Sequence, residues 1–499
     1  FKPAGPAARC GAVLAELFLE VLPENVFVPV HIGERELGQQ LVSHPDVDQV
    51  ILTGGYETAQ LFRTFRPDLK LLAETSGKNA IIVTPHADFD LAAKDIAYSA
   101  FGHAGQKCSA SSLVILVGSV AQSKRFRRQL MDAVESLKVD HPTNPAAQMG
   151  PVIAPPEGKL RQGLTQLDRG EKWLIKPKEL DESGKLWSPG VRENVRPGAT
   201  SHLVEYFGPV MSIMTARNLE AAIALQNSVE YGLTAGIHSL SSSEINDWLA
   251  RVQAGNLYVN RGITGAIVQR QPFGGWKRSA VGPGAKAGGP NYLFALTDWE
   301  RSSNNAEEAI ESAAVNEALV LAAGSMLTDE EMGSLLRSAQ SDLAALKHYF
   351  SGSKDISGLT AEINQLRYFR SDCQLRVTGQ ATEFELWRSA ISAISLGDVS
   401  VSIESAPERL IQLLGRAGCS VRVESQEQWL ASLSSPRRVR VVGLKEWAAE
   451  LANPDVAVYE NDVTESGIIE MLPYFKEQAV SITTHRFGNP ARHIRSLKL

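Results

Sequence analysis

The sequence is poor in cysteine, in basic excess and in long apolar runs, and each shortage removes a class of function. Its four cysteines, Cys10, Cys108, Cys373 and Cys419, stand far apart, with no CxxC pair and no histidine at metal-ligand spacing. That argues against a disulfide scaffold and against a zinc site. Lysine and arginine total 50 against 56 acidic residues, a formal net charge of −6 without long single-sign runs. Binding to a phosphate backbone needs a basic surface, so no nucleic-acid partner is expected. No apolar stretch approaches the roughly 20 residues of a membrane helix, and the start has no charged segment leading into an apolar one. A cytoplasmic protein without an integral membrane segment is therefore expected. No strand-like run is followed by GxGxxG, and no GK[ST] phosphate loop occurs. The chain opens at Phe1 and enters directly at Lys2-Pro3-Ala4, which reads as the interior of a longer polypeptide.

What is present is a globular composition. With 499 residues, 43% hydrophobic and 21% charged, the chain can build two or three domains with substantial cores. Residues 6–21 have helical apolar spacing, residues 26–30 read as a strand, 34–43 as a helix and 49–52 as a strand ending in Thr53-Gly54-Gly55. Strand-like runs at 69–73, 80–83 and 113–117 then alternate with helical stretches around 90–100 and 123–138, the pattern of a parallel α/β sheet. Between residues 300 and 346 the composition turns to Ala, Glu, Ser and Leu with helical periodicity, which suggests a connector. Beyond it, LRVTG, VSVSI, SVRVE, RVRVVG and VAVYE alternate with helical runs such as PERLIQLLGRAG, LKEWAAELA and GIIEMLPYFKEQ. These describe a second α/β domain without a legible reactive cluster.

Cys108 lies in Gly105-Gln106-Lys107-Cys108-Ser109-Ala110, a small polar loop ahead of a strand. A thiol there, beside a lysine and near backbone amides, is placed to have its thiolate stabilised and to attack a carbonyl carbon. Read alone, a free cysteine is more often a small buried hydrophobe. Glu74 ends another strand, in Glu74-Thr75-Ser76-Gly77-Lys78. Read alone, it is a surface carboxylate.

Together the E-x-x-G-K and GQ-x-C segments resemble those of the aldehyde dehydrogenase superfamily. The resemblance implies Cys108 as nucleophile and Glu74 as general base for thioester hydrolysis. Glu205-Tyr206-Phe207-Gly208-Pro209 resembles the family's E-x-F-G-P signature, implying that Glu205 binds the nicotinamide ribose and Phe207 packs near the ring. Lys2 is similar to the family's adenosine-ribose lysine. Thr53, Gly54 and Gly55 resemble its turn near the pyrophosphate, with Gly55 where many relatives carry serine. NAD is the implied cofactor, and a missing GxGxxG fits the superfamily's atypical dinucleotide site.

Residues 260–275 resemble the aldehyde anchor loop of 1-pyrroline-5-carboxylate dehydrogenases. The resemblance implies that Thr264, Gly265 and Ala266 grip the α-carboxylate and α-amino groups of L-glutamate γ-semialdehyde. Ser109 would add a hydroxyl and Phe273 an apolar wall. The terminal run AVSITTHRFGNP resembles the end of proline utilization A proteins. It implies an upstream proline dehydrogenase domain carrying FAD, a homo-oligomer, and a last domain of aldehyde-dehydrogenase-like fold without a catalytic cysteine. The expected organisation is α/β throughout: residues 1–75 the remaining part of a Rossmann-type NAD-binding domain, 76–299 a catalytic domain, 300–346 a helical connector and 347–499 a second α/β domain. The family's first stretch, with an asparagine that donates to the oxyanion, would lie upstream of Phe1. Such a donor is worth about 3 kcal/mol, so residues 1–499 alone are expected to fold poorly or to be inactive. Two other readings stay open: a structural module that covers a tunnel or mediates assembly, and an aldehyde dehydrogenase for another semialdehyde such as succinate semialdehyde.

Overall fold

The computed structural model describes residues 1–23, 25–33, 35–300, 308–433, 437–444 and 453–498. Its centre is a sheet whose middle strands have no polar face. Asn79–Val83 is buried at every position, and its alternation sends Ile81 and Val83 into one apolar cluster and Ala80 and Ile82 into another on the opposite face. Ser111–Val117 does the same with Val114 and Leu116 against Leu113, Ile115 and Val117. A strand covered on both faces loses the polar alternation of an edge strand. Helices Phe89–Phe101 and Lys124–Glu135 cover the first face, and Leu219–Asn227 and Ser242–Arg251 the second. Asp88 caps the first of these helices through the Leu91 amide at 3.0 Å, and Ser123 the second through Phe126 at 3.2 Å, satisfying donors that a helix start leaves free.

Among the described residues this sheet has ten strands, in the order Ser353–Lys354, Glu362–Arg370, Phe475–Thr483, Asn256–Val259, Thr234–His238, Asn79–Val83, Ser111–Val117, Val210–Ala216, Gly190–Glu193 and Lys172–Ile175. Phe475–Thr483 runs parallel to Asn256–Val259 and antiparallel to Glu362–Arg370. Residues 347–499 therefore divide. Three of their strands extend the catalytic sheet, while Cys373–Val377, Ser400–Ile403, Ser420–Val423, Arg437–Val442 and Val456–Tyr459 form a separate five-stranded parallel sheet. The helices expected as a connector, Ala313–Ala323 and Asp329–Ala344, join the second core through Val315, Ala318 and Leu335 and pack chiefly on the helix Glu383–Leu396.

A small third sheet pairs Gln49–Thr53 parallel to Lys70–Glu74, with Ala280–Val281 antiparallel on the other side of the latter. Helix Tyr56–Phe65 packs Tyr56 and Ala59 against its apolar face.

Two expectations need correction, and a third falls outside the described residues. Residues 26–30 form no strand: among the described residues Val28 and Val30 bond only to Phe1, at 2.8 Å each, too short a contact for a ladder. The helix expected over 467–478 stops at Met471; after a short 3₁₀ turn at Leu472–Tyr474 the chain becomes the strand Phe475–Thr483, where sheet pairing overrides the local pattern. In LKEWAAELA, residues 445–452 lie outside the described residues.

Candidate active site

Two strands of the small sheet end side by side where the expected turn and base meet. Thr53 is the register partner of Glu74, and the Gly54 amide donates to the Glu74 carbonyl at 3.2 Å. The chain then leaves Glu74 for five residues and enters the central sheet at Asn79. That asparagine is buried, and its amide group donates to the carbonyls of Cys108 at 2.7 Å and Ala110 at 3.0 Å, while its oxygen accepts from the Thr234 amide at 2.9 Å. One side chain thereby ties the base-bearing segment, the nucleophile turn and the neighbouring strand together.

Cys108 sits in a tight turn closed by the Ala110 amide on the Lys107 carbonyl at 2.9 Å. Before it, His103 and Ala104 both have φ 54° and Gly105 φ 68°, and Gly105 abuts the Gly208 carbonyl with no space for a Cβ. This left-handed run folds the segment back onto the Glu205–Pro209 loop, and Gln106 fixes it there by donating to the Phe207 carbonyl at 3.3 Å and accepting from Ile153 at 2.9 Å. Phe207 has φ 57° and is 38% exposed.

Glu205 is buried and accepts from the Gly77 amide at 3.4 Å. Burial pushes its carboxyl up to about 7, opposed by Lys159, the Gly77 amide, Lys78 and Ser76. Lys78, buried with Nζ 5.6 Å from the Tyr206 ring centroid and without a hydrogen-bond partner among the described residues, is pulled down to about 7 by the same loss of water. Glu74 is likewise pushed up to about 7 by burial, against Lys286 and the Gly275 amide, and its Oε2 is buried without a partner among the described residues. A carboxylate poised near neutrality and short of a hydrogen bond is equipped to take a proton.

The Cys108 thiol departs from expectation. Burial, Glu205 and Glu74 all raise its pKa, and the Ser109 and Cys108 amides oppose them only in part. The largest influences on the sulfur are thus its burial and the two carboxylates that the fold brings to it, and not the lysine beside it in sequence.

The remaining expected residues fall into two sets. Ser109 is buried, with its carbonyl held by Thr234 Oγ1 at 3.3 Å. Thr264, Gly265 and Ala266 form an open loop beyond the strand Asn256–Val259; its root is fixed by the Ile263 amide on Ser99 Oγ at 3.1 Å. Their amides donate to no protein acceptor among the described residues, and Gly265 has φ 86° with open space around it. Gln271 ends the loop by accepting from Ile267 at 3.0 Å and donating to Asn364 at 2.7 Å and Ser481 at 3.1 Å. Phe273 pairs through its backbone with Ala287. Lys2 stands apart, exposed, its ammonium donating to the Pro3 carbonyl at 3.3 Å.

At the turn after Thr53, the Gly55 and Tyr56 amides at the start of helix Tyr56–Phe65 have no protein acceptor among the described residues. Glu57 leans over this helix start, with Oε2 3.0 Å from where a Gly55 Cβ would stand. Asn79, Gln271, Lys286 and Glu477 carry much of the site yet were not expected from sequence, since each looks like an ordinary polar residue until its distant partner is known. Among the described residues no group of histidine, cysteine and carboxylates could hold a metal, and no helix is long and apolar enough to cross a membrane.

The model of the aldehyde dehydrogenase family matches residues 1–301. The chain belongs to the aldehyde dehydrogenase family. Among curated aldehyde dehydrogenases it is 36% identical over 303 residues to the 1-pyrroline-5-carboxylate dehydrogenase of Bacillus subtilis (strain 168), which covers 59% of this chain and 58% of the relative. The enzyme of the same name from Geobacillus kaustophilus is 37% identical over 301 residues, 58% of each chain. The chain thus spans less than two thirds of the length of these relatives. Among solved structures, proline utilization A (PutA) from Corynebacterium freiburgense aligns over 98% of this chain and 47% of its own, at 43% identity and a TM-score of 0.84. A Thermus 1-pyrroline-5-carboxylate dehydrogenase with bound NAD aligns over 59% of this chain and 58% of its own, at 35% identity and a TM-score of 0.54. The PutA match extends the likeness through residues 347–499, beyond the part that the family model covers.

Proposed function

We propose that this chain carries most of an NAD-dependent dehydrogenase that oxidises L-glutamate γ-semialdehyde to L-glutamate. The observation that carries this reading is the convergence of Cys108, Glu74 and Glu205 where the strands end, with Glu74 Oε2 buried and without a partner among the described residues. The relatives' names and the PutA likeness support the choice of aldehyde.

The dinucleotide has a place to fit. The turn Thr53-Gly54-Gly55 would hold its pyrophosphate through the free amides of the following helix, Lys2 and Glu205 the two riboses, and Phe207 the nicotinamide face. When bound, NAD supplies the acceptor for the aldehyde hydride. Cys108 Sγ adds to the aldehyde carbon, and the thiol proton passes to solvent. Loss of hydride from that carbon leaves a thioester on the sulfur. Glu74 then takes a proton from water, whose oxygen adds to the thioester carbon; the carbon–sulfur bond breaks, glutamate leaves and Cys108 regains its proton. The amides of Thr264, Gly265 and Ala266 would receive the substrate α-carboxylate, Ser109 would add a hydroxyl and Phe273 would line the methylenes. Succinate semialdehyde lacks the α-amino group, so comparing turnover of the two semialdehydes separates this reading from its runner-up.

Strands Glu362–Arg370 and Phe475–Thr483 extend the catalytic sheet, which favours a structural role for residues 347–499. The PutA likeness is consistent with an upstream proline dehydrogenase carrying FAD; the homo-oligomer is proposed from the family resemblance alone. Replacing Cys108 with Ala in the intact protein should abolish NADH formation from the semialdehyde while NAD still binds; retained turnover refutes the assignment.

A further inference from the structure

Lys286 is buried, 4% exposed, one glycine away from the catalytic carboxylate. Its Nζ donates to Asn256 Oδ1 at 2.9 Å and to the Gly274 carbonyl. A Cβ on Gly274 would lie 3.0 Å from Glu74 Oε1 and 3.3 Å from both Cα and Cγ of Lys286. The antiparallel bridge between Phe273 and Ala287 holds these two segments in register. On its far side the Lys286 amide donates to Glu477 Oε2 at 2.8 Å, and Glu477 Oε1 accepts from Asn291 at 2.8 Å. Glu477 belongs to Phe475–Thr483, the strand that the C-terminal segment adds to the catalytic sheet.

Glu74, Lys286 and Glu477 line one cavity of about 180 Å³, whose wall also includes Lys277, Asp372, Arg438, Asp455 and Lys476. Negative, positive and negative groups thus follow one another from the site into the second half of the chain. Burial disfavours each of these charges alone, and an opposite charge close by restores it.

We propose that Lys286, held by Glu477, is a positioning residue that sets the pH at which Glu74 becomes a base. The inference rests on reading Glu74 as the hydrolytic base. Within this arrangement the ammonium favours ionised Glu74, and Glu477 keeps the buried lysine protonated; Cys108 is the other titratable group facing Glu74. Burial pulls Lys286 down to about 8, with Glu477 the larger of the two opposing carboxylates. Removing the lysine charge therefore moves the Glu74 titration upward, and neutralising Glu477 moves it the same way by weakening the lysine.

The test is the pH dependence of acyl-enzyme hydrolysis in the intact protein, with p-nitrophenyl acetate to acylate Cys108 without cofactor. The parent should deacylate along a limb rising through about pH 7. Lys286→Met should shift that limb up by about one to three units with the acylation burst unchanged, Glu477→Gln should shift it less in the same direction, and Lys286→Arg should restore it. If Lys286→Met does not fold, Glu477→Gln alone decides. Variants that lower the rate without moving the limb, or leave both unchanged, overturn the proposal. A Glu74→Gln protein that deacylates like the parent would instead remove the reading of Glu74 on which it rests.

Discussion

Asn79 donates to the Cys108 carbonyl at 2.7 Å, so the first residue of the central strand holds the nucleophile turn. Its other bonds, to Ala110 and Thr234, are buried as well. Asn79→Ala leaves these backbone groups unpaired, each worth roughly 1–3 kcal/mol. The expected outcome is a loss of at least about 3 kcal/mol in urea unfolding, together with slower alkylation of Cys108 by iodoacetamide than of exposed Cys10.

Gly265 tests the anchor loop. Its φ of 86° belongs to the region that side chains rarely adopt, and relieving the strain in a Gly265→Ala variant would turn the amides of residues 264–266 away from a common centre. KM for the semialdehyde should rise at least about tenfold, a change of roughly 1.4 kcal/mol, while NAD binding stays as it was. An unchanged KM would separate the loop from substrate binding.

Glu205 links the site to stability. Burial lifts it to about 7, above the ordinary glutamate value of 4.5, so the folded state holds this proton more tightly than the unfolded chain does. The associated stability is fully present below pH 4.5 and is lost as pH rises through 7. Compared with a Glu205→Gln variant, the parent should therefore lose stability between pH 5 and pH 8 in paired denaturation curves. Parallel pH profiles would contradict the burial of an ionisable carboxylate there.

Arg388 and Asp342 form a fully buried bidentate pair in the second core, both contacts at 2.8 Å, and Arg388 Nε also donates to the Thr464 carbonyl at 2.7 Å. Asp342→Ala strands the guanidinium and should cost about 3–5 kcal/mol. Replacing both residues with leucine should cost less than either single change. Calorimetric unfolding of the three variants decides between a stranded charge and simple loss of packing.

The parts legible in the sequence were those with local signals. Short, continuous apolar runs marked the strands around Ile81 and Val114, and short motifs drew attention to Glu74, Cys108 and Glu205. What escaped was set by distant pairing. Residues 475–478 continue a helical pattern, yet they join a strand that bonds to Glu362–Arg370 and Asn256–Val259; no local rule announces that. The same strand explains why a boundary at residue 347, drawn from composition, cuts through a shared sheet. Lys286 and Glu477 read as surface charges until the fold buries them together. Lys107, adjacent in sequence to the thiol, proved less important to its ionisation than Glu74 and Glu205, which reach it only through the fold.

The most direct test is to trap the reaction after its first half. Glu74→Gln in the intact protein, mixed with L-glutamate γ-semialdehyde and NAD, should release about one equivalent of NADH and then stall, because the general base supplies roughly 10²–10⁴-fold. Peptide mass spectrometry should find the glutamyl group on Cys108. Continued turnover at the parent rate, or an acyl group on Cys10, Cys373 or Cys419 with Cys108 unmodified, would contradict the account.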